Sequence, residues 1–539
     1  MPKRSLASVI NQESPFGPIK SEDLDSEWEL DLFKQLYSSG SEIHNRMQSQ
    51  RPNCLLGRKG AGKTAFLMGM LIQEGSTVVQ LKQSALFACM ENVTRAFYRN
   101  DAAINAELVA EIWEAMIYHV LAVRIVGDLR ATDPHDAKQT VWSYVMGVED
   151  ASGLDPSMSV GERCNRTATW FLNTMQESIE TSEIRSAGSE FLASLAMNGV
   201  AYAELAQASI QVLTERPEPT VVLVDTLEDY GDNFTRLAEV SKGLLQHLAA
   251  HQVEKTGYRL FVCLPSEVSS LLQSLAANPA KSLERSMHIQ WTSRELVKLA
   301  AQRFALYLSL HDKDRLRSLG ISSLDRVPFD ESRKLIEAML PEKVTNGLGT
   351  TEPSLMYVIR HTQLLPRQLI QFLNSIWRTN RELGGGTYEV LPQAIIRGVE
   401  SAEPALVKDV LSAYGAQHPM ADDVCRKVIP KLPLKHSVED ARRAIRASKV
   451  HKSISGEIDD VLMLLQDVGA FGRHLDTTEL YHEAHFSFTF PDLAALERDD
   501  TVCIHPAFAK AYQCIEVRKN TIFEDTLPVY AFGSNYGEA

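Results

Sequence analysis

Residues 53–73 require a strand, a tight turn and a helix in that order. An apolar run at 53–56 leads into GRKGAGKT at 57–64, and the helical pattern AFLMGMLIQ follows directly. The spacing G-x-x-x-x-G-K-[ST] in this context is typical of a phosphate-binding loop. Its glycines let successive backbone N–H groups and the helix N-terminus face one concave site that suits phosphate oxygens. The predicted nucleotide-binding residues are Gly57, Arg58, Lys59, Gly60, Ala61, Gly62, Lys63, Thr64 and Ala65.

Two side chains at the end of this motif have defined chemical roles in such a loop. Lys63 is expected to reach the β- and γ-phosphates of a nucleoside triphosphate and to take part in catalysis there. Thr64 offers its hydroxyl to Mg²⁺, an ion that takes few protein ligands and keeps waters and phosphate oxygens. The alternative is a glycine-rich turn that binds no ligand.

An acidic cluster follows a second apolar run, in PTVVLVDTLEDYGD. Asp225 comes directly after 221–224, so it is predicted at the carboxyl end of a buried parallel strand, where open α/β sheets bind ligands. We assign Asp225 to Mg²⁺, mainly through water. Glu228 and Asp229 follow a few residues later, and one of them is predicted to polarise the attacking water. The pattern does not decide between the two, and a solvated acidic loop is the alternative.

The chain divides into units with different patterns. Apolar runs at 53–56, 77–81, 220–224, 259–264 and 288–291 are predicted strands of a parallel α/β sheet. Helical periodicity dominates after 291, and helices followed by the short runs GAFGRHL, HFSFTFP and TVCIHP suggest a winged helix. The predicted units are a docking segment at 1–50, an α/β core at 51–291 with a helical insertion at about 95–215, an all-helical unit at 292–400, a winged-helix-like module at 401–514 and a tail at 515–539.

Composition excludes several classes of protein. The chain of 539 residues is 44% apolar and 23% charged, which is typical of folded globular domains. Its formal charge of −14 argues against a surface that binds nucleic acid or anionic lipid as a whole. The seven cysteines form no CxxC pair, so we predict neither a disulfide framework nor a zinc site, and we expect a reducing cytoplasm. We expect no membrane association, and 191–213 is predicted to be a packed helical segment.

GRKGAGKT, VVLVDTLED and the helical unit that follows resemble the AAA+ and STAND P-loop ATPases over about residues 50–400. The resemblance implies a P-loop NTPase core, a helical lid at 292–400 and, more weakly, the C-terminal winged helix. It implies ATP and Mg²⁺ as ligands and hydrolysis of ATP to ADP and phosphate. AAA+ proteins usually place a Glu directly after the Asp, whereas Thr226 stands there in this chain. The spacing of Asp225, Glu228 and Asp229 is closer to that of STAND relatives.

Further residues match positions of the same group. Arg285, just before the fifth predicted strand, resembles the arginine finger that reaches a neighbouring subunit's site, which implies a homo-oligomer. Arg367 follows Pro366 at the start of a helix and resembles the second sensor of the lid. Ser266 or Glu267 holds the first sensor position, an unusual choice for that place. A surface arginine at 285 and a solvated arginine at 367 are the alternatives.

Partners follow from the resemblance and from one basic segment. Similar bacterial STAND-like ATPases occur in defence and mobile-element neighbourhoods, which implies a switch that regulates an effector protein, here in anti-phage conflict. Residues 424–455 carry nine Lys or Arg against two acids, so duplex DNA is a second predicted partner and a DNA-transaction ATPase a second function. A solvated basic face is the alternative. The third function is an ATP-bound scaffold that hydrolyses little.

Overall fold

The computed structural model describes most of the chain. The described residues are 6–18, 42–81, 83–99, 105–128, 136–155, 157–181, 192, 194–217, 220–225, 238–251, 253–268, 285–320, 329–347, 349–415, 417–454, 456–489, 496–519 and 527–531. The predicted catalytic carboxylates Glu228 and Asp229 lie outside these ranges, as do parts of the terminal segments 1–50 and 515–539.

Helices and strands alternate in the first half of the chain, and helices dominate the second. The strands are β1 (Cys54–Gly57), β2 (Thr77–Leu81), β3 (Ala196–Met197), β4 (Val200–Ala201), β5 (Thr220–Val224), β6 (Tyr258–Pro265), β7 (Ser286–Ile289), β8 (Lys343–Thr345), β9 (Thr351–Pro353), β10 (Lys435–Ser437), β11 (Phe471–Thr477), β12 (His482–His485), β13 (Thr501–Ile504) and β14 (Val529–Tyr530). The helices are α1 (Leu6–Val9), α2 (Glu42–Gln50), α3 (Lys63–Gln73), α4 (Gln83–Arg99), α5 (Ala106–Asp128), α6 (Asp136–Ser152), α7 (Val160–Thr181), α8 (Tyr202–Thr214), α9 (Ala238–Ala250), α10 (Val253–Thr256), α11 (Ser293–His311), α12 (Lys313–Ser318), α13 (Phe329–Glu337), α14 (Ser354–Arg360), α15 (Pro366–Glu382), α16 (Pro392–Ala413), α17 (Ala421–Val428), α18 (Val438–Ser448), α19 (Val450–Ser453), α20 (Ile458–Asp467), α21 (Pro506–Ala511) and α22 (Ile515–Lys519).

A five-stranded parallel sheet forms the centre of the first half, in the order β2-β5-β6-β1-β7. The predicted α/β class and all five predicted strands are therefore confirmed. The last strand begins two residues earlier than predicted, because β7 pairs with β1 from Ser286 opposite Cys54 to Ile289 opposite Gly57. Since β1 ends at Gly57, where the chain turns away, the pairing of β7 with β1 ends at Ile289.

The central sheet is covered on both faces. In β5, Val221 and Leu223 belong to one hydrophobic core, and Val222 and Val224 belong to another. Successive strand residues point to opposite faces, so this division means that helices pack on each side. The first core continues into the later helices and the C-terminal module, and the second consists of the sheet and α4–α9.

The segment between β2 and β5 is a helical insertion, as the pattern predicts. Helices α4 to α8 fill it, beginning at Gln83 rather than near 95. The expectation of a packed helical segment over 191–213 holds for 202–213, which lie in α8, and is wrong for 196–201, where β3 and β4 form a hairpin. Asn198 and Gly199 form its two-residue loop with φ of 51° and 81°. An Asn-Gly pair favours this left-handed turn, and the turn interrupts the helix.

Residues 292–400 are mostly helical, but the expectation of an all-helical unit is wrong. Strands β8 and β9 form an antiparallel hairpin within it. Its inward-facing residue Glu352 is 4% exposed and accepts two hydrogen bonds from Arg360, each of 2.8 Å. The hairpin is therefore attached to α14 by a buried bidentate ion pair, a long-range contact that local periodicity does not predict.

The C-terminal module combines helices with a second sheet, in the order β10-β13-β11-β12-β14. The predicted runs GAFGRHL and TVCIHP supply β11 and β13, while β10 and β14 were not predicted. The run HFSFTFP is mostly not a strand, since β12 ends at His485 and Thr489 N–H donates to Phe486 O at 2.9 Å. Phe486 and Phe488 instead stack on each other with ring centroids 5.3 Å apart, and both contact His505. Burial of the two rings takes the place of strand pairing.

None of the helices in the described ranges combines the length and the apolar character that a membrane span requires.

A close helix contact in the lid region gives a testable prediction. A Cβ added at Gly398 in α16 would lie 2.6 Å from Ile376 Cα and 2.8 Å from Ile376 N, both backbone atoms of α15. We expect Gly398→Ala to cost about 1–3 kcal/mol through overpacking, more than the roughly 1 kcal/mol that alanine gains in helix propensity. The urea midpoint of unfolding should fall.

Gly347→Ala is the matched control, because a Cβ at Gly347 meets no atom within 4 Å. Equal urea midpoints for the two variants would contradict the close approach of α15 and α16.

Candidate functional site

The glycine-rich loop lies at the carboxyl edge of the central sheet, between the end of β1 and the start of α3. Gly60 and Gly62 have φ of 87° and 77°, in the left-handed region that other residues rarely adopt. Ala61 N–H donates to Arg58 O at 3.0 Å, which closes the turn, and Phe66 N–H donates to Gly62 O at 2.8 Å, which opens the helix. The backbone therefore wraps tightly at the N-terminus of a helix, as the motif predicts.

Lys63 is folded over this loop. Its side chain is buried, with 3% of the residue exposed, and Nζ donates to Gly57 O at 2.9 Å and to Arg58 O at 3.3 Å. The ammonium group is therefore held at the mouth of the turn by carbonyls that precede it. A phosphate oxygen could accept from the same ammonium group with little movement of the side chain.

Thr64 and Asp225 meet across the sheet. Thr64 Oγ1 donates to the carboxylate of Asp225 and lies 2.7 Å from each of its oxygens. Asp225 is the first residue after β5, and β6 lies between β5 and β1. A hydroxyl and a carboxylate oxygen at the carboxyl edge of a sheet are a donor set that Mg²⁺ prefers. The two residues predicted as metal ligands are thus brought together.

Gln80 is a site residue that the sequence reasoning missed. Its Nε2 donates to Asp225 Oδ2 at 3.1 Å. Strands β2 and β5 are paired in parallel with Leu81 opposite Val224, so Gln80 lies beside the end of β5. A polar residue inside the apolar run TVVQL was the available signal. The amide fixes the orientation of the carboxylate from the side opposite β6.

Glu267 contacts the glycine-rich loop from the strand between β1 and β5. It lies just after β6, is 5% exposed, and its Oε1 accepts a hydrogen bond from Lys59 N–H at 2.7 Å. Glu267, one of the two residues expected at the first sensor position, thus places a carboxylate against the loop. This carboxylate competes with any anion for the Lys59 N–H.

Helix α15 of the unit at 292–400, for which the name lid is kept as a label, packs against the other side of the loop. Arg367 N–H donates to Gly60 O at 3.5 Å, and a Cβ at Gly60 would lie 3.2 Å from Arg367 Cβ. Pro366 is the first residue of α15, as its sequence position predicts. A pocket of only about 20 Å³ remains between loop and lid, lined in part by Lys59, Glu267 and Asp409. That space holds about one water, so the lid is packed tightly on the loop.

Two aromatic side chains also contact the loop or its arginine. Trp291, just beyond β7, donates from Nε1 to Ala61 O at 2.8 Å. Arg58 donates to Gln363 Oε1, and its guanidinium lies 5.3 Å from the ring centroid of Phe488. Gln363 Nε2 in turn donates to Val468 O at 3.0 Å. The loop is thereby connected to the lid and to the C-terminal module at once.

Arg285 lies at the opposite end of the sheet from the loop. It precedes β7, its side chain donates to Arg51 O at 2.9 Å, and its carbonyl accepts from Asn53 N–H at 3.0 Å. Arg285 is level with Asn53, which is about 13 Å from Gly57 at the usual rise per residue. Arg285 is therefore not among the residues that converge on the loop of its own chain.

The basic segment 424–455 is largely neutralised by neighbouring acids. Five of its nine cations form ion pairs with carboxylates, two of them from residues before the segment and one from after it. The pairs are Arg426–Asp422, Lys427–Asp423, Arg442–Asp459, Arg443–Asp440 and Arg446–Glu439. Counting charges inside the segment alone overstates its positive potential, because three of the five paired acids lie outside it.

No protein-family model and no curated protein sequence matches this chain.

The hydrogen bond from Trp291 to the loop can be tested directly. Trp291→Phe keeps the ring but leaves the buried Ala61 carbonyl without this donor, which costs about 1–3 kcal/mol. We expect faster amide hydrogen exchange at 58–66 and a lower free energy of unfolding. Trp142→Phe, in α6 of the insertion, is the matched control. Unchanged exchange at 58–66 in Trp291→Phe would show that the indole does not hold the loop.

Proposed function

We propose that this protein binds ATP with Mg²⁺ at loop 57–64 and hydrolyses the γ-phosphate, as a molecular switch of the AAA+/STAND type with a P-loop NTPase core. The observation that carries the proposal is the convergence of Lys63, Thr64 and Asp225 at one edge of the sheet. Thr64 and Asp225 are distant in sequence and contact each other at 2.7 Å. A glycine-rich turn without a ligand has no need for this pairing.

The side chains divide the chemistry among them. Lys63 would bind the β- and γ-phosphates, and the backbone N–H groups of 58–64 would cradle them. Thr64 and Asp225 would hold Mg²⁺, with Gln80 orienting the carboxylate; the ion supplies neutralisation of charge on the phosphate oxygens. Glu228 or Asp229 would polarise the attacking water. Positioning and charge stabilisation account for most of the rate acceleration in phosphoryl transfer, and these residues would supply both.

The contacts of Arg58, Glu267 and Arg367 support a switch rather than a simple hydrolase. Phosphates that bind the Lys59 N–H would displace the Glu267 carboxylate, which accepts from it at 2.7 Å. Room for a nucleotide between loop and lid would require Arg367 and α15 to move away from Gly60. Arg58 would transmit that movement through Gln363 and Phe488 to the C-terminal module. A change at the loop would thus alter how three units pack together.

The partner proposals rest on the resemblance and on the position of Arg285. An arginine at the far end of the sheet could act on a nucleotide only in a neighbouring subunit, which supports a homo-oligomer with Arg285 as a finger in trans. The proposed setting is a cytoplasmic, bacterial defence or mobile-element system in which the switch regulates an effector chain. The C-terminal helices and small sheet are proposed to be a winged helix. Ion pairing in 424–455 weakens the case for duplex DNA.

ATP turnover tests the proposal. We expect Lys63→Ala to lower phosphate release by roughly 10²–10³-fold, because a charge that stabilises the transition state is lost. Glu228→Gln should also lower turnover, and Asp225→Asn should raise the Mg²⁺ concentration needed for half-maximal rate. Lys343→Ala is the control, since Lys343 is 61% exposed on β8.

Wild-type rates in both Lys63→Ala and Glu228→Gln would exclude an ATPase at this site. Tight ATP binding by the wild-type protein without phosphate release would instead leave the scaffold function.

Mixing two inactive variants tests Arg285. An Arg285→Ala subunit keeps its own phosphate site, and a Lys63→Ala subunit keeps the arginine, so mixed oligomers should recover activity. In a random 1:1 ring, half of the sites keep Lys63 and half of those face an intact Arg285, which predicts about one quarter of wild-type turnover. Wild-type activity in Arg285→Ala alone would refute the finger in trans.

A further inference from the structure

A second cavity lies between the lid and the C-terminal module, and no residue of loop 57–64 lines it. Its volume is about 140 Å³. The turn of the β8–β9 hairpin, the end of α14, the middle of α16 and helix α21 surround it. Its lining includes Gly347, His361, Glu400, Glu403 and Lys510. Gly347 and Lys510 are exposed, so the cavity opens to solvent on that side.

Glu403 is the least satisfied polar group of this cavity. It is 3% exposed, and its Oε1 has no hydrogen-bond partner among the described residues. Burial raises the pKa of Glu403 to about 8, although Lys510 and Arg360 oppose the shift and Glu400 adds to it. A buried carboxyl oxygen that lacks a hydrogen bond costs free energy, so this group requires a reason to be there.

The Nε2 atom of His361 faces Glu403 and is a hydrogen-bond acceptor. Its Nδ1 lies 2.6 Å from Tyr357 O, and a carbonyl can only accept, so Nδ1 carries the proton. Burial and the charge of Arg360 hold the pKa of His361 well below its usual range, and the ring is neutral. Its Nε2 is therefore an acceptor, 3.6 Å from Glu403 Oε1. Once Glu403 ionises, its carboxylate and His361 Nε2 are two acceptors close together.

The nearby cations are already paired. Arg360 donates twice to Glu352, and Lys510 Nζ lies 2.8 Å from Glu400 Oε1. Together with Glu403 and Glu516, the cavity and its supporting residues contain four carboxyl groups and two cations. An anion would find no unpaired cation among them, whereas a donor with positive charge would meet Glu403 and His361 Nε2. The site lacks a cationic donor.

We propose that this cavity binds a small organic ammonium ion, whose N–H groups donate to Glu403 and to His361 Nε2. A cavity of about 150 Å³ accommodates a ligand the size of benzene, so an ammonium ion of about five or six heavy atoms fits. Binding requires the Glu403 carboxyl to ionise, and its proton leaves to solvent. The bound cation then neutralises the Glu403 carboxylate in place of that proton.

Three molecules of similar size and different charge test the proposal: n-butylammonium chloride, 1-butanol and sodium butyrate, at matched ionic strength. We expect n-butylammonium alone to raise the melting temperature of the wild-type protein in a saturable way. Glu403→Gln should weaken its Kd roughly 10- to 100-fold, because a hydrogen bond to a charged group is lost. Glu342→Gln, an acid that is 89% exposed beside β8, is the matched control. Lys63→Ala should respond like wild type, which separates this site from the nucleotide site.

Several results would overturn the ammonium site. The first is no shift in the melting temperature of the wild-type protein, which would leave a cavity that holds only water. The others are an equal shift in Glu403→Gln, and an equal shift with butanol or butyrate. If Glu403→Gln fails to fold, titration calorimetry of the wild-type protein decides. Affinity should rise from pH 7 to pH 9, and heats at pH 7 should depend on the buffer's ionisation enthalpy, because Glu403 releases its proton on binding. Affinity and heats that are independent of pH and buffer would contradict the proposal.

Discussion

The hydrogen bond between Thr64 and Asp225 depends on nearly everything else in the first half of the chain. Thr64 is the second residue of α3, which follows β1, and Asp225 is the first residue after β5. Strand β6 lies between β1 and β5. Their contact requires parallel strands that end at the same level, a turn of fixed length after β1 and burial of both faces of the sheet. Cores on either side supply that burial, since alternate residues of β5 point into different clusters.

The loop at 57–64 is also the place where the three units of the chain meet. Arg58 contacts Gln363 of the lid and Phe488 of the C-terminal module, and Trp291 holds Ala61 from beyond β7. A loop with only local contacts could move without consequence for the rest of the molecule. Here a change in backbone position at the loop must alter contacts in two other units.

Polar groups in the second half are concentrated at the boundary between lid and C-terminal module. Glu352 accepts from Arg360, Asn346 and Tyr530, so hairpin β8–β9, helix α14 and strand β14 are joined at one carboxylate. Removing one partner of such a buried pair leaves an uncompensated charge, which costs free energy. An arrangement of the three elements that separates these partners is therefore disfavoured. Glu403 differs from Glu352 because the described residues leave its Oε1 without a partner, and that contrast distinguishes a structural carboxylate from a candidate binding group.

Local patterns were sufficient for the central sheet, the loop at 57–64 and the position of Asp225. Apolar runs of strand length and a glycine spacing are short-range features, and each depends only on a few neighbouring residues. The same reasoning missed hairpin β8–β9, because a long-range buried ion pair attaches it to α14. It also predicted a strand through HFSFTFP, where burial of the aromatic rings outweighs strand propensity. Gln80 was likewise missed as a residue of the site, and the partners of Arg58 and Glu267 were not predicted. Their partners are far away in the chain, so only the packing of sheet, lid and C-terminal module decides which of these polar side chains meet.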